Sequence, residues 1–99
     1  MDALICAVDV GTGSARAGIV DRSGRVLARA DRPIAMRRPA ADHAEHDSED
    51  IWRAVCAAVR AAVAAADVAP GRIAGIGFDA TCSLVVRDAA FGQVGVSTD

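Results

Sequence analysis

The sequence predicts an α/β fold with a mixed sheet, in the order β-β-β-α-β-β, and three observations support this prediction. Short apolar segments separated by turn residues fill the chain from residue 4 to residue 34. The pattern of an amphipathic helix follows over residues 48–66. A further apolar run at 73–78 then returns the chain to the sheet. A right-handed helical crossover is expected to return this run to the sheet parallel to the first strand.

The first three strands are predicted to form an antiparallel meander. Residues 4–10 are largely apolar and end at Gly11-Thr12-Gly13, which is typical of a buried strand followed by a tight turn. Residues 15–20 form the second strand candidate. The residues at 21–24 are a turn signal, and a third extended segment covers 26–34. Short turns between successive strands favour antiparallel pairing.

A loop and a helix are predicted after the meander. Residues 36–47 are polar and charged and show no periodicity, which favours a loop. Asp47 and the serine after it supply N-cap chemistry, and two acidic residues follow at the positive end of the helix dipole. The helix is expected over 48–66 and to end at Pro70-Gly71. Its apolar stripe, expected in the core, comprises Ile51, Trp52, Val55, Val59, Ala62, Val63 and Ala66.

The last part of the chain carries weaker signals. Residues 73–78 indicate a second buried strand, and residues 84–86 a short further one. From residue 89 to residue 99 the sequence contains glycine and has no clear period.

Composition excludes several functional classes. The 99 residues carry a net charge of -2 with scattered arginines, so neither nucleic acid nor an anionic membrane surface is an expected partner. The apolar run near the N-terminus is too short for a signal core or a membrane span. Cys6, Cys56 and Cys82 form no CxxC pair, so reduced thiols and a cytoplasmic location are expected.

One segment suits the binding of a polyphosphate. It reads Asp9-Val10-Gly11-Thr12-Gly13-Ser14-Ala15-Arg16. Glycines let backbone N–H groups approach phosphate oxygens, while hydroxyl donors at Thr12 and Ser14 and the charge of Arg16 add further bonds. Asp9 can hold Mg²⁺, usually through water. The same residues are also consistent with a plain hairpin turn, because Gly, Ser and Thr favour tight turns for local reasons.

Three ordered segments resemble the FGGY carbohydrate kinases. The phosphate motif DxGTxSxR of that family is filled at every position, by Asp9, Gly11, Thr12, Ser14 and Arg16. The segment 45–52 resembles the family's E-Q/H-D-P-x-x-W stretch, with Ser48 in place of the usual proline. The segment 75–83 resembles the strand and loop that line the sugar pocket, and its GxDxT pattern is similar to the ribulokinase-like branch.

The resemblance implies a ribonuclease H-like fold, shared by actin and the sugar kinases, and ATP-dependent phosphorylation of a sugar with Mg²⁺. The expected substrate is a ketopentose such as ribulose. Asp79 follows a buried strand, where carboxylates commonly face a ligand crevice, and is expected to bind sugar hydroxyls beside Thr81 and Cys82. Xylulose, glycerol or gluconate kinases of the same family remain alternatives, as does a noncatalytic actin-like module.

The resemblance also implies that parts of the enzyme lie elsewhere. In these kinases the catalytic aspartate and the adenosine-binding domain come later in a longer chain, so both are expected beyond residue 99. Residues 1–99 then represent the N-terminal part of the first domain, an incomplete fold with a phosphate loop (9–16), a helix (48–66) and a sugar-pocket strand and loop (73–83). The isolated chain is expected to be inactive, and the full-length enzyme could form a homodimer.

Other candidate sites are weaker. The carboxylates and histidines between Asp42 and Asp47 include metal-ligand types, but HxxH in an irregular loop is a weak pattern, and the resemblance accounts for Glu45 and His46 at the mouth of the sugar site. Cys82 has no identifiable base beside it and is better interpreted as a small pocket-lining residue than as a nucleophile.

Overall fold

The computed structural model describes residues 2–81 and 84–95, which form eight strands, one α-helix and one 3-10 turn. In chain order the elements are β1 (Leu4–Val10), β2 (Ser14–Val20), β3 (Val26–Pro33), β4 (Met36–Arg37), β5 (Glu45–His46), α1 (Ser48–Ala66), the 3-10 turn (Pro70–Arg72), β6 (Ile73–Ala80), β7 (Val86–Arg87) and β8 (Gln93–Val94).

A four-stranded mixed sheet with the order β3-β2-β1-β6 forms the body of the fold. The first three strands pair antiparallel as a meander, and β6 returns beside β1 in parallel, as the sequence predicts. Strand β6 extends two residues beyond the predicted 73–78, because its pairing with β1 continues through Asp9↔Asp79 and Val10↔Ala80. The predicted α/β fold class is confirmed.

Helix α1 covers the predicted residues 48–66. The side chain of Asp47 accepts a hydrogen bond of 2.9 Å from the Glu49 N–H, so the predicted N-cap is correct. The predicted end at residue 66 is confirmed, and Asp67, which adopts a left-handed conformation (φ 54°), closes the helix ahead of the stop signal at Pro70-Gly71. Within residues 2–81 and 84–95 no helix is long and apolar enough to span a membrane.

Alanines form the buried face of α1. Ala54, Ala58 and Ala62 are buried with Val55 against the sheet, and small side chains let the helix approach the strands closely. The prediction that Trp52 belongs to the core is wrong, since this residue is 60% exposed. Helix α1 packs mainly over β2 and β3, so Trp52 lies at the uncovered margin beside β6 and lines a cleft there with the exposed Phe78.

Two predictions outside the main sheet need correction. The segment 36–47, predicted as a loop, contains an antiparallel pair in which Met36 faces His46. The strand predicted at 84–86 instead occupies Val86–Arg87 and pairs with β8 rather than with the main sheet. Asp88 explains this hairpin, because its Oδ1 accepts hydrogen bonds from the N–H groups of Ala90 and Gly92 and closes the turn. Pairs of two residues are too short to leave a periodic signal in sequence.

Asp21 fixes the predicted turn between β2 and β3. Its Oδ1 accepts hydrogen bonds from the Ser23 hydroxyl (2.7 Å), the Ser23 N–H (2.9 Å) and the Arg25 N–H (3.0 Å). These bonds lower the pKa of the Asp21 carboxyl, and the bond from the Ser23 hydroxyl has the largest effect. Gly24 completes the turn with a φ of 87°, a conformation that favours glycine.

Cys6 and Cys56 are free thiols, as expected. Cys6 is buried on the helix side of β1, and this burial raises the pKa of its thiol. The neutral form is therefore favoured, and Cys6 acts as a small apolar core residue.

Candidate functional site

The phosphate loop, residues 9–16, is the connection between β1 and β2. Asp9 and Arg16 are cross-strand partners at its base, on the sheet face opposite α1. Their side chains form an ion pair, with 3.1 Å between Arg16 Nη2 and Asp9 Oδ2, and both remain about half exposed (43% and 50%). An exposed pair of this kind adds only about 0–1 kcal/mol to the free energy of unfolding. A carboxylate and a guanidinium therefore lie side by side at the base of the loop and remain accessible.

Gly11 lies under the Arg16 guanidinium. A Cβ atom at Gly11 would lie 3.0 Å from Arg16 Nη2 and 3.2 Å from the Ser14 carbonyl oxygen. The Gly11 N–H also donates a 2.9 Å hydrogen bond to that same oxygen and closes the turn. A side chain at this position would displace the flexible end of Arg16 and crowd the backbone at Ser14 O. A Cβ at Gly13, by contrast, would meet nothing within 4 Å, so the tip of the loop faces open space.

The carbonyl groups of Thr12 and Gly13, at the tip of the loop, are bound to the protein, whereas the amides of the same two residues are available. Gly13 O accepts from the Ile34 N–H at 2.9 Å, and Thr12 O accepts from His46 Nε2 at 2.8 Å. Within residues 2–81 and 84–95, the N–H groups of Thr12 and Gly13 have no hydrogen-bond partner, and neither do the hydroxyls of Thr12 and Ser14. Unpaired successive amides at a turn form an anion-binding concavity. The loop can therefore donate several hydrogen bonds to phosphate oxygens.

Asp79 lies next to Asp9. The two residues are register partners on the parallel strands β6 and β1, at the carboxyl ends of both strands. A shallow cleft of about 340 Å³ on the sheet face opposite α1 is lined by Asp9, Arg16 and Asp79. Three of the predicted site residues, two carboxylates and one guanidinium, thus line one cleft, and Arg29 of β3 adds a second guanidinium to its lining.

The remaining predicted sugar-pocket residues lie just beyond β6. Thr81 donates its N–H to the Val10 carbonyl oxygen at 3.1 Å, which continues the contact between the two parallel strands past Asp79. Cys82 lies outside the described residues, so its role stays a prediction. A second cleft, of about 290 Å³, separates the segment 44–46 from residues 84–85 and 93–95 and has a more polar lining that includes Glu45, His46 and Gln93.

Sequence reasoning missed two residues that tie the β7–β8 hairpin to the start of α1. Gln93 accepts a 2.7 Å hydrogen bond from the Ser48 N–H and donates a 3.1 Å bond to the His46 carbonyl oxygen. Arg87 Nη2 contacts Ser48 Oγ at 2.6 Å and Glu49 Oε1 at 3.2 Å. Both residues lie in a stretch without periodicity, and no motif indicates long-range contacts of this kind.

Comparison with known proteins agrees with this geometry. The model of the N-terminal domain of the FGGY family of carbohydrate kinases matches residues 4–90. An FGGY carbohydrate kinase domain-containing protein of Homo sapiens is 50% identical over 92 residues, and a D-ribulokinase of Saccharomyces cerevisiae is 48% identical over 93 residues; each alignment covers 93% of this chain. A glycerol kinase of Agrobacterium fabrum is 42% identical over 77 residues, which cover 78% of this chain and 15% of the glycerol kinase.

Solved structures show the same fold. A gluconate kinase from Lactobacillus acidophilus superimposes with a TM-score of 0.85 and 21% identity, covering 96% of this chain and 19% of that protein. A xylulose kinase from the same organism gives a TM-score of 0.84 at 21% identity, covering 94% of this chain and 19% of that protein. The chain spans only 16% of the human relative and 13% of the yeast relative. By its match over residues 4–90, the chain belongs to the FGGY family of carbohydrate kinases.

Proposed function

We propose that this domain works within a longer protein that transfers the terminal phosphate of ATP to a hydroxyl group of a sugar. The observation that carries the proposal is the phosphate loop, in which the carbonyl groups of Thr12 and Gly13 are bound to the protein while the N–H groups of the same two residues remain unpaired within residues 2–81 and 84–95. Phosphoryl transfer depends chiefly on positioning and on neutralising the charge of the phosphates. The loop supplies both, through its amides and hydroxyls and through Arg16.

The residues at the base of the loop fit a magnesium ion. Asp9 presents an accessible carboxylate at the end of β1, and Asp79 places a second one beside it on β6. Mg²⁺ is usually held by one or two carboxylates together with substrate phosphates and water. When bound, the ion would neutralise charge on the phosphates. Asp9 is the proposed ligand, through water, and Arg16 balances its charge in the absence of the ion.

A ketopentose such as ribulose is the proposed substrate. The identity to the yeast D-ribulokinase extends over 93% of the chain, whereas that to the glycerol kinase extends over 78%. The second support is Asp79, an acceptor that can bind sugar hydroxyls at the carboxyl end of a parallel strand. Thr81 and Cys82 follow it directly and are proposed to line the same pocket. The similarity to gluconate and xylulose kinases at 21% identity supports the fold alone.

Residues 2–81 and 84–95 are proposed to supply only part of what the reaction needs. No group of three or more metal-ligating side chains occurs there, and the two clefts are open to solvent. A base that accepts the proton of the sugar hydroxyl and a surface that binds adenosine are proposed to belong to the rest of the protein. Residues 1–99 are then the N-terminal part of the first domain, which holds the phosphates and one wall of the sugar site.

A substrate panel tests the proposal. The full-length protein is incubated with Mg²⁺-ATP and ribulose, xylulose, glycerol or gluconate, and ADP release and sugar phosphate are measured together. We expect the highest kcat/KM for ribulose, by about tenfold or more, because a site built to bond a given set of hydroxyls rejects analogues that leave its polar groups unpaired. Preference for glycerol or gluconate would overturn the pentulose assignment alone. Absence of phosphorylation of every sugar would overturn the proposed kinase activity.

A further inference from the structure

His46 contacts the tip of the phosphate loop from a distant part of the chain. Its Nε2 lies 2.8 Å from the carbonyl oxygen of Thr12, 34 residues earlier in the sequence. A carbonyl oxygen can only accept a hydrogen bond, so Nε2 must carry the proton and donate it. His46 is half-buried as a residue, while the bond itself lies at the exposed surface of the loop.

This bond determines where one amide of the loop points. The Thr12 carbonyl and the Gly13 N–H belong to the same peptide group, and in a planar trans peptide these two groups point in opposite directions. By holding Thr12 O toward itself, His46 turns the Gly13 N–H away from its own ring. In the part of the chain that the structure describes, this N–H has no partner. It is therefore oriented and free to donate.

The two glycines of the loop allow several backbone conformations, so bonds from neighbouring segments decide how its peptides are oriented. Gly11 and Gly13 flank Thr12, and glycine backbones reach many conformations at similar energy. Turns that share the same closing bond can differ in the orientation of their central peptide, so the bond from the Gly11 N–H to Ser14 O does not by itself fix the peptide between Thr12 and Gly13. The Ile34 N–H fixes the next peptide in the same way through Gly13 O, at 2.9 Å. His46 is the side chain that fixes the first of these two peptides.

The backbone of His46 is itself held in place. Strand pairing places His46 opposite Met36, and the Gln93 side-chain amide donates to the His46 carbonyl oxygen at 3.1 Å. The same amide accepts from the Ser48 N–H at 2.7 Å, so Gln93 joins the residue before the N-cap to the first turn of α1. The imidazole is thus presented from a segment fixed on both sides rather than from a free loop.

We propose that His46 is a positioning residue for ATP: through the Thr12 carbonyl it orients the Gly13 N–H toward the phosphates. The inference rests on the proposed function and deepens it, since it assigns a role to a residue that does not touch the nucleotide. Loss of the Nε2 donor leaves the loop with more conformations, and ATP binding must then select the competent one, which raises the KM for ATP.

Three variants of the full-length protein test this role. His46→Leu removes the donor and is expected to raise the KM for ATP about tenfold, the effect of one orienting hydrogen bond, with the KM for the sugar changed less than about twofold. His46→Gln retains an N–H donor of similar reach and is expected to restore most of the ATP affinity. His43→Leu is the matched control, because His43 is an exposed histidine of the same segment, with its Nε2 3.8 Å from a carboxylate oxygen of Asp42.

The outcomes separate this inference from the proposed function. An unchanged KM for ATP in His46→Leu, with sugar phosphorylation by the unaltered protein intact, would overturn the positioning role alone. A rise only in the KM for the sugar would assign His46 to the wall of the second cleft and would equally overturn it. Failure of His46→Gln to restore ATP affinity, when both variants melt like the unaltered protein, would show that the donor is not what matters. Absence of any sugar phosphorylation in the unaltered protein would overturn both proposals.

Discussion

Replacing Asp9 by asparagine is expected to lower the turnover of the full-length protein by about 1000-fold, a loss of about 4 kcal/mol of transition-state stabilisation. Asp9 is the accessible carboxylate at the end of β1, next to a loop in which the amides of Thr12 and Gly13 can bind phosphate. Asparagine keeps the size and one oxygen of the side chain but loses the charge that attracts a divalent cation. Steady-state rates with saturating ATP and sugar measure the effect.

Stability should change little in this variant. The ion pair of Asp9 with Arg16 is about half exposed, so its loss costs about 0–1 kcal/mol, which corresponds to a melting temperature lower by a few degrees at most. Asp42→Asn is the control, since the Asp42 side chain is 89% exposed in a loop away from the site. If Asp9→Asn keeps a turnover within a factor of two of the unaltered protein, residues 9–16 are a plain hairpin and not a phosphate site.

The isolated 99-residue chain is expected to self-associate and to lack kinase turnover. Helix α1 covers β2 and β3, but the apolar side chains of β6 on that side remain open, with Ile76 51% and Phe78 56% exposed. The opposite face carries Ile5, which is 45% exposed on β1. Parallel strands are normally buried on both faces, and an uncovered apolar surface promotes association. The catalytic base is also expected outside these residues.

This prediction is tested by measuring the mass of the isolated chain by light scattering and its unfolding by a thermal melt. We expect a mass above that of the 10.1 kDa monomer and a broad transition. A variant with Ile76→Thr and Phe78→Thr should associate less, because both changes keep strand propensity while removing apolar area. Arg53→Lys, on the exposed surface of α1, is the control. A cooperative monomer, or any ATP-dependent sugar phosphorylation by the isolated chain, would contradict the prediction.

The sequence predicts the main sheet, the helix and the base of the site because each rests on a local signal. The apolar run of β1 ending at glycine, the acidic N-cap at Asp47 and the amphipathic pattern of α1 are all readable from neighbouring residues. The right-handed crossover then places β6 beside β1, which brings Asp79 next to Asp9. The meeting of these carboxylates with Arg16 in one cleft follows from strand register alone.

What could not be predicted depends on packing between distant segments. Trp52 falls on the apolar stripe, but the helix is displaced toward β3 and leaves it exposed, a shift that periodicity does not encode. The contact between His46 and Thr12, and those of Gln93 and Arg87 with the start of α1, join residues more than 30 positions apart. Strands of two residues, such as β4 and β8, are shorter than any periodic pattern.

Hydrogen exchange of the full-length protein, followed by mass spectrometry, tests most directly whether residues 9–16 bind the phosphates of ATP. Exchange is compared for the protein alone, with sugar, and with Mg²⁺ and a non-hydrolysable ATP analogue. We expect the nucleotide analogue to slow the exchange of peptides that cover residues 10–16, because the amides of Thr12 and Gly13 gain acceptors, while the sugar alone leaves these peptides unchanged. The contradicting result is that saturating nucleotide slows exchange elsewhere in the protein, while residues 10–16 exchange at the same rate as in the free protein.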